Sequence, residues 1–256
     1  MILRQIIGGN WKMNGSPESG ILFIDEMKAL GSLTAPASIV FFPPFTLIPI
    51  LAESASDAGI ETGGQDLFWF EKGAFTGEIS SDMLKDAGST WFIAGHSERR
   101  HVLGETDEIV RKKLEAGLKS GLKGILCVGE LKTEREDDQT EAVVRRQIKS
   151  ALDGLNDISP ENFVIAYEPV WAIGTGLTAT PEEAERVHSL IREWVSFIVG
   201  QEFADNLRIQ YGGSVKPDNA ATILSKPSVN GALVGGASLH ANSFMDIINS
   251  VPEYSS

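Results

Sequence analysis

Eight short apolar or β-branched runs recur along the chain, near Ile6–Gly9, Ser38–Phe42, Ile60–Gly63, Trp91–Ala94, Lys123–Val128, Phe163–Tyr167, Arg208–Tyr211 and Gly231–Val234. Each is bounded by glycine, proline or polar residues and has the length and composition of a strand. Between them lie helix signals: Pro17–Leu30, Asp107–Leu122, Glu134–Leu155, and a run opening Thr180-Pro181-Glu182-Glu183. In that run Thr suits the N-cap, Pro the first helical position and Glu the closing position of a capping box. Ile39-Val40-Phe41-Phe42 and Gly124–Val128 are apolar at successive positions, the pattern of strands covered on both faces. Parallel strands need crossovers of about a dozen residues, usually helical. The alternation therefore predicts an α/β fold with eight parallel strands. Eight units in 256 residues fit a single closed (β/α)8 barrel better than an open doubly wound sheet, which more often has about five to seven strands. No linker, low-complexity tract or shift of composition divides the chain, so residues 1–256 read as one barrel domain.

Charge and composition narrow the partners. With 35 Asp plus Glu against 22 Lys plus Arg, the formal charge of -13 repels phosphate backbones and anionic leaflets, so neither nucleic acid nor a membrane surface is an expected partner. The longest apolar stretch, Ile39–Ala52, is broken by Pro43, Pro44 and Pro49 and is shorter than the ~20 residues that span a bilayer. Met1–Arg4 runs straight into Gly8-Gly9-Asn10, with no room for a secretion signal, and a cytoplasmic location is expected. Cys127 is the sole cysteine, which excludes an intrachain disulfide or a cysteine zinc cluster. His96, His101, His188 and His240 form no HExxH arrangement, so neither a metal nor a cofactor is expected. Cys127 lacks a general base nearby in sequence and reads as packing.

Seven of the eight strands run into polar or glycine-rich residues at their C-terminal ends: Asn10-Trp11-Lys12, Gln65-Asp66, His96-Ser97-Glu98, Gly129-Glu130, Glu168, Gly212-Gly213-Ser214 and Gly235-Gly236. In a closed barrel those ends share one rim, where barrel active sites sit. Asn10 and Lys12 are two apart at a strand end, so both can face the mouth while Trp11 points away; an ordinary surface lysine is an equal reading of that feature alone. The glycine pairs after the last two strands allow backbone N–H groups to approach an anion, whereas either pair taken singly reads as a tight turn. Glu168 follows an apolar strand and precedes Pro169, a setting in which partial desolvation raises a carboxylate toward a useful base. Ile173-Gly174-Thr175-Gly176 then has the composition of a lid hinged at both ends. Gly174–Ala179 also matches the dinucleotide fingerprint G-x-G-x-x-A, but the helix signal begins only beyond it and the unit is sixth of eight, which argues against a nicotinamide site.

Six motifs in order, Gly9-Asn10-Trp11-Lys12-Met13-Asn14, Gly73–Glu78, Gly95–Arg100, Ala166–Gly176, Tyr211–Val215 and Val234–Leu239, resemble the triosephosphate isomerase family along essentially the whole chain. The resemblance implies a TIM barrel that interconverts dihydroxyacetone phosphate and D-glyceraldehyde 3-phosphate through an enediolate. It implies Glu168 as the base and His96 as a neutral imidazole that polarises the carbonyl. Lys12 and Asn10 would stabilise developing negative charge, and the N–H groups of Gly174, Ser214, Gly235 and Gly236 would hold the phosphate. It also implies a homodimer in which Thr76, in the Gly73–Glu78 loop, reaches the neighbouring subunit's site. Three positions depart from the family pattern: Leu177 where the lid usually carries Lys, Asn230 where Asp is common, and Asp66 where Asn is common.

Two other functions fit parts of the pattern. A glycoside hydrolase would use Glu98 and Glu168 as its carboxylate pair, but Arg99 and Arg100 beside Glu98 would keep it ionised and unfit as an acid. A non-catalytic phosphate-binding barrel would keep the glycine pairs and have no use for Glu168 together with His96.

Overall fold

The computed structural model describes residues 3–31, 37–173 and 178–252. Strands β1 (Gln5–Asn10), β2 (Ala37–Phe42), β3 (Glu61–Gly64), β4 (Trp91–Ala94), β5 (Lys123–Val128), β6 (Phe163–Tyr167), β7 (Arg208–Tyr211) and β8 (Gly231–Val234) form a closed parallel barrel in chain order. The helices around it are α1 (Pro17–Leu30), α2 (Ile48–Ala55), α3 (Ser81–Asp86), α4 (Ser97–His101), α5 (Asp107–Lys119), α6 (Lys132–Glu136), α7 (Thr140–Leu152), α8 (Pro181–Ile198), α9 (Gln201–Asn206), α10 (Pro217–Leu224) and α11 (Ala241–Asn249). This is the (β/α)8 barrel expected from the sequence, with every strand limit within one residue of its expected place.

Closure rests on β1 and β8, whose residues Ile6 to Gly9 register with Gly231 to Val234. The chain enters β8 at Gly231, where a Cβ would lie 1.9 Å from the Ile6 carbonyl oxygen, so only glycine lets the two strands meet. Asn230, just before it, ties three elements: its Oδ1 accepts from Ile209 N at 3.1 Å and Arg192 Nη2 at 2.8 Å, and its carbonyl accepts from Ile6 N at 3.1 Å.

Alternation along the strands sorts the core into two layers. Ile6, Val40, Phe42, Trp91, Ile93, Ile125, Cys127, Val164, Ala166 and Leu233 fill the barrel interior. Cys127 is thus packing, and burial pushes its thiol well above its ordinary pKa. The alternate residues, among them Phe41, Phe92, Phe163 and Ile209, meet Phe23, Leu114, Ile148, Ile191 and Phe244 of the helices in the larger layer. Each such side chain contributes about 1.5–3 kcal/mol by leaving water.

Three local expectations are corrected. α5 stops at Lys119, not Leu122, because Gly121 takes a φ of 89° and closes a Schellman cap. Its N–H donates to Leu118 O at 2.9 Å, and Leu122 N–H to Gly117 O at 3.1 Å. The helix expected over Glu134–Leu155 is two helices, α6 and α7, parted at Asp138, whose φ of 61° is a left-handed conformation that no helix continues through. At Thr180 only half of the capping box forms. The Thr180 hydroxyl accepts from Glu183 N at 3.1 Å, but the Glu183 carboxylate turns to Arg135 at 2.9 Å and Arg186 at 3.3 Å, charge-assisted partners stronger than a backbone N–H.

Gly117 marks where α5 comes closest to the barrel: a Cβ there would lie 2.4 Å from Phe92 Cζ and 2.9 Å from Leu67 Cδ2. Alanine gains about 1 kcal/mol over glycine in a helix interior, while overpacking a buried ring costs about 1–3 kcal/mol. Phe92 is fully buried and cannot yield, so the steric cost wins. Gly117→Ala should lower the thermal midpoint by about 2–6 °C in an unfolding curve followed by circular dichroism. An unchanged or raised midpoint would mean that α5 can back away from the barrel.

Candidate active site

Asn10 ends β1, and the chain then turns sharply, with Lys12 at a φ of 53°. A left-handed non-glycine residue costs about 1–2 kcal/mol, and the cost is met by local bonds. Lys12 N–H donates to Asn10 Oδ1 at 3.0 Å, and Gln65 Nε2 donates to the Lys12 and Phe42 carbonyls, both at 2.8 Å. Trp11 points away and packs edge-on against Phe23, centroids 5.1 Å apart. Lys12 Nζ lies 2.5 Å from Glu98 Oε1, and a Cβ on Gly235 would lie 3.6 Å from Lys12 Cε.

The cation beside Glu98 is therefore Lys12, which corrects the expectation that Arg99 and Arg100 would keep it ionised. Successive residues of α4 face directions about 100° apart, so Glu98 faces Lys12 while its neighbours do not. Arg99 binds Asp66 at 3.0 Å and Glu105 at 2.5 Å; Arg100 binds Asp107 at 2.6 Å and the Gly95 carbonyl at 2.7 Å.

Glu168 follows β6 and is buried, its Oε2 accepting from Ser97 N at 2.8 Å and its Oε1 lying 3.0 Å from His96 Nε2. His96 is also buried, and its Nδ1 accepts from Glu98 N at 3.3 Å, so in the neutral ring the proton sits on Nε2, facing Glu168. Burial alone would raise the Glu168 carboxyl, but the His96 charge and hydrogen bond, the Ser97 N–H and the Lys12 charge outweigh it and hold the group below its ordinary pKa. For His96, burial pulls the imidazole down, yet the Glu168 charge and hydrogen bond, with the Glu98 charge, lift it above 6.5 against the opposition of Lys12. The first direction reverses the sequence expectation of a raised Glu168, and the second runs against the neutral imidazole that the resemblance implies for His96. Desolvation is legible in the sequence; the contact between the two groups is not, nor is the Ser97 N–H, since a backbone donor leaves no mark in residue type.

Asn10, Lys12, His96, Glu168, Gly212, Gly213, Ser214, Gly235 and Gly236 line one cavity of about 690 Å³ at the C-terminal mouth. Gly174, with the rest of the expected lid through Leu177, lies outside the described residues. Two of the strand-end groups do not open to that cavity. Glu130 is fully buried, accepting from Tyr167 Oη at 3.1 Å and Trp171 Nε1 at 2.9 Å, and burial raises its carboxyl. Asp66 faces α5 instead. Glu168 needs a glycine beside it: a Cβ at Gly212 would lie 2.8 Å from Glu168 Cγ.

Fold and rim together define a (β/α)8-barrel protein whose carboxylate, imidazole and ammonium share a mouth with glycine-rich turns. Residues 5–251 match the sequence profile of triosephosphate isomerase. The triosephosphate isomerases of Rhodopirellula baltica, Moorella thermoacetica and Acetivibrio thermocellus are 48%, 49% and 47% identical to it, over 98%, 96% and 96% of this chain and 99%, 98% and 98% of theirs. The chain belongs to the triosephosphate isomerase family.

Asp66 sits in a buried charge cluster. Lys113 Nζ lies 2.6 Å from Asp66 Oδ2 and 2.5 Å from Glu105 Oε1, so two carboxylates share one ammonium, with Arg99 bonded to both. Burial first, and then the Glu105 charge, raise Asp66 to about 6 against the pull of Lys113 and Arg99. A carboxyl raised in the folded state contributes stability that is complete below its unfolded pKa of 3.8 and lost as pH rises through about 6. Relative to the native protein, Asp66→Asn should gain stability between pH 4 and pH 8, by at most about 3 kcal/mol. Urea unfolding of both proteins at the two pH values measures the difference. A gap that does not widen with pH would show that Asp66 is ionised at no cost.

Proposed function

We propose that the protein interconverts dihydroxyacetone phosphate and D-glyceraldehyde 3-phosphate by proton transfer through an enediolate, with Glu168 as the base. The observation that carries this reading is the buried Glu168–His96 pair, in a cavity also lined by Lys12, Ser214, Gly235 and Gly236. The backbone N–H groups of those three residues, with Gly174, are assigned to the phosphate. Lys12, alongside Gly235, brings a positive charge into the mouth of an otherwise acidic chain.

Binding of the phosphate brings the substrate's two reactive carbons toward β6. To reach the carbon-bound proton, Glu168 must leave the Ser97 N–H and His96 Nε2. Its departure removes the main upward pull on the imidazole, and burial and Lys12 then favour the neutral ring. With Nδ1 accepting from Glu98 N, neutral His96 presents Nε2–H to the substrate oxygen, where it polarises the carbonyl. Freed of its donors and still buried, Glu168 becomes the stronger base. Asn10 and Lys12 stabilise the enediolate oxygen; His96 Nε2 gives its proton to that oxygen and takes the proton of the neighbouring hydroxyl, and Glu168 returns the carbon-derived proton to the neighbouring carbon, so that carbonyl and hydroxyl exchange places. The route needs no cofactor. Glycoside hydrolysis would need Glu98 as a protonated acid, but Glu98 is bound to Lys12.

A homodimer, built through the loop that holds Thr76, belongs to the same proposal. In that loop Phe75 stacks on Phe70, which precedes it, with centroids 5.0 Å apart, and the two rings are half-exposed at 38% and 50%. Among the described residues no helix is long and apolar enough to cross a membrane, and residence in the cytoplasm is part of this reading.

Purified protein should convert glyceraldehyde 3-phosphate in a coupled assay without added cofactor, and absence of turnover would overturn the proposal. Glu168→Asp draws the carboxylate back by about 1 Å and should cut kcat by about 100-fold with little change in KM; near-normal turnover would remove Glu168 from the role of base. Shortening the loop over 73–78 should give monomers of reduced activity in sedimentation and turnover measured together, whereas fully active monomers would contradict the assembly.

A further inference from the structure

Behind the mouth, His188 of α8 stands against the last residues of β6 and β7. Its ring meets Tyr167 edge-on, centroids 5.9 Å apart at 86°, and lies 6.4 Å from Tyr211 at 36°. The ring is fully buried, and Nδ1 donates to the Ser228 carbonyl at 3.3 Å, which anchors it to the turn before β8. Burial lowers its pKa to about 3, so the imidazole is neutral at any working pH.

The two tyrosines are each followed by a residue of the site. Glu168 follows Tyr167, and Gly212-Gly213-Ser214 follows Tyr211. Tyr167 is pinned from its far side by Glu130, at 3.1 Å. The Tyr211 hydroxyl lies directly under the turn, where a Cβ on Gly213 would be 2.3 Å from it. Across the seam, Gly212 N–H donates to Tyr167 O at 2.7 Å. A change of spacing between the two tyrosine rings is therefore passed to the carboxylate on one side and to the turn on the other, and His188 packs against both rings.

We propose that His188 is a positioning residue, whose ring sets the distance between the base at the end of β6 and the anion-binding turn at the end of β7 without touching substrate. The inference rests on the isomerase reading above. The flat ring carries the effect and the hydrogen bond to Ser228 orients it. A substrate held at both points feels the spacing, while an anion held at the turn alone does not.

The test compares three variants by kcat/KM per folded molecule and by the inhibition constant of inorganic phosphate. His188→Leu and His188→Gln remove the ring, and the glutamine keeps a donor toward Ser228. His188→Phe keeps the ring and loses the donor. Displacements of about 1 Å in a reacting pair can cost on the order of 100-fold, so the Leu and Gln variants should lose at least about tenfold in kcat/KM. Phosphate inhibition should stay within about twofold, and the Phe variant within about threefold of the native kcat/KM. If the Leu variant does not fold, the Gln and Phe pair decides. A smaller loss in Gln, a weakening of phosphate in step with kcat/KM, or a Phe variant as impaired as Gln would each overturn the proposal. A native protein without turnover would instead refute the isomerase reading, leaving this comparison separate.

Discussion

The pairing of β8 with β1 is the constraint on which the mouth depends. In an open sheet those strands would be opposite edges, and Lys12 after β1 would lie far from the glycine pair after β8. Closure sets them side by side, with Lys12 Cε in contact range of Gly235. The register is held by a backbone approach at Gly231 that no side chain permits, and by Asn230, whose bonds join β7, β1 and α8. Each is a requirement at the bottom of the barrel for geometry at the top.

Within the mouth, the ligand-free arrangement holds Glu168 in reserve. A buried carboxylate would ordinarily be raised, yet an imidazole, a backbone N–H and a distant ammonium together keep it low. The same contact keeps His96 high. The two groups that an acid–base reaction needs separately are thus stabilised by each other until something separates them. The surrounding framework is stiff where this matters: β6 and β7 abut at Glu168 and Gly212, and Lys12 is fixed in a strained backbone conformation by Asn10 and Gln65.

The fold was almost wholly legible in the sequence, because period and punctuation carry it. Apolar runs such as Lys123–Val128 are bounded so sharply by glycine and polar residues that their limits could be read directly. Breaks within helical stretches are less legible: Asp138 signals a positive φ only weakly, and Gly121 does so more plainly. Of the site, the residues that gather at the mouth could be named from strand ends alone. What could not be read was which of them touch. Residue adjacency suggested Arg99 and Arg100 as the partners of Glu98, but helix rotation turns them toward Asp66, Glu105 and Asp107 and leaves Glu98 to Lys12, 86 positions away. Electrostatics followed the same rule. Desolvation is local enough to infer, but for Glu168 and His96 the sign of the pKa shift is decided by a long-range contact.

The central claim is that Glu168 and His96 govern each other's protonation in the resting site. Nitrogen NMR of the His96 ring, titrated in the ligand-free native protein and in Glu168→Gln, tests it most directly. The account predicts a native midpoint above 6.5 that falls when the carboxylate becomes an amide, with Nε2 as the protonated nitrogen of the neutral ring. A midpoint that does not move between the two proteins, or that rises in the variant, would contradict it.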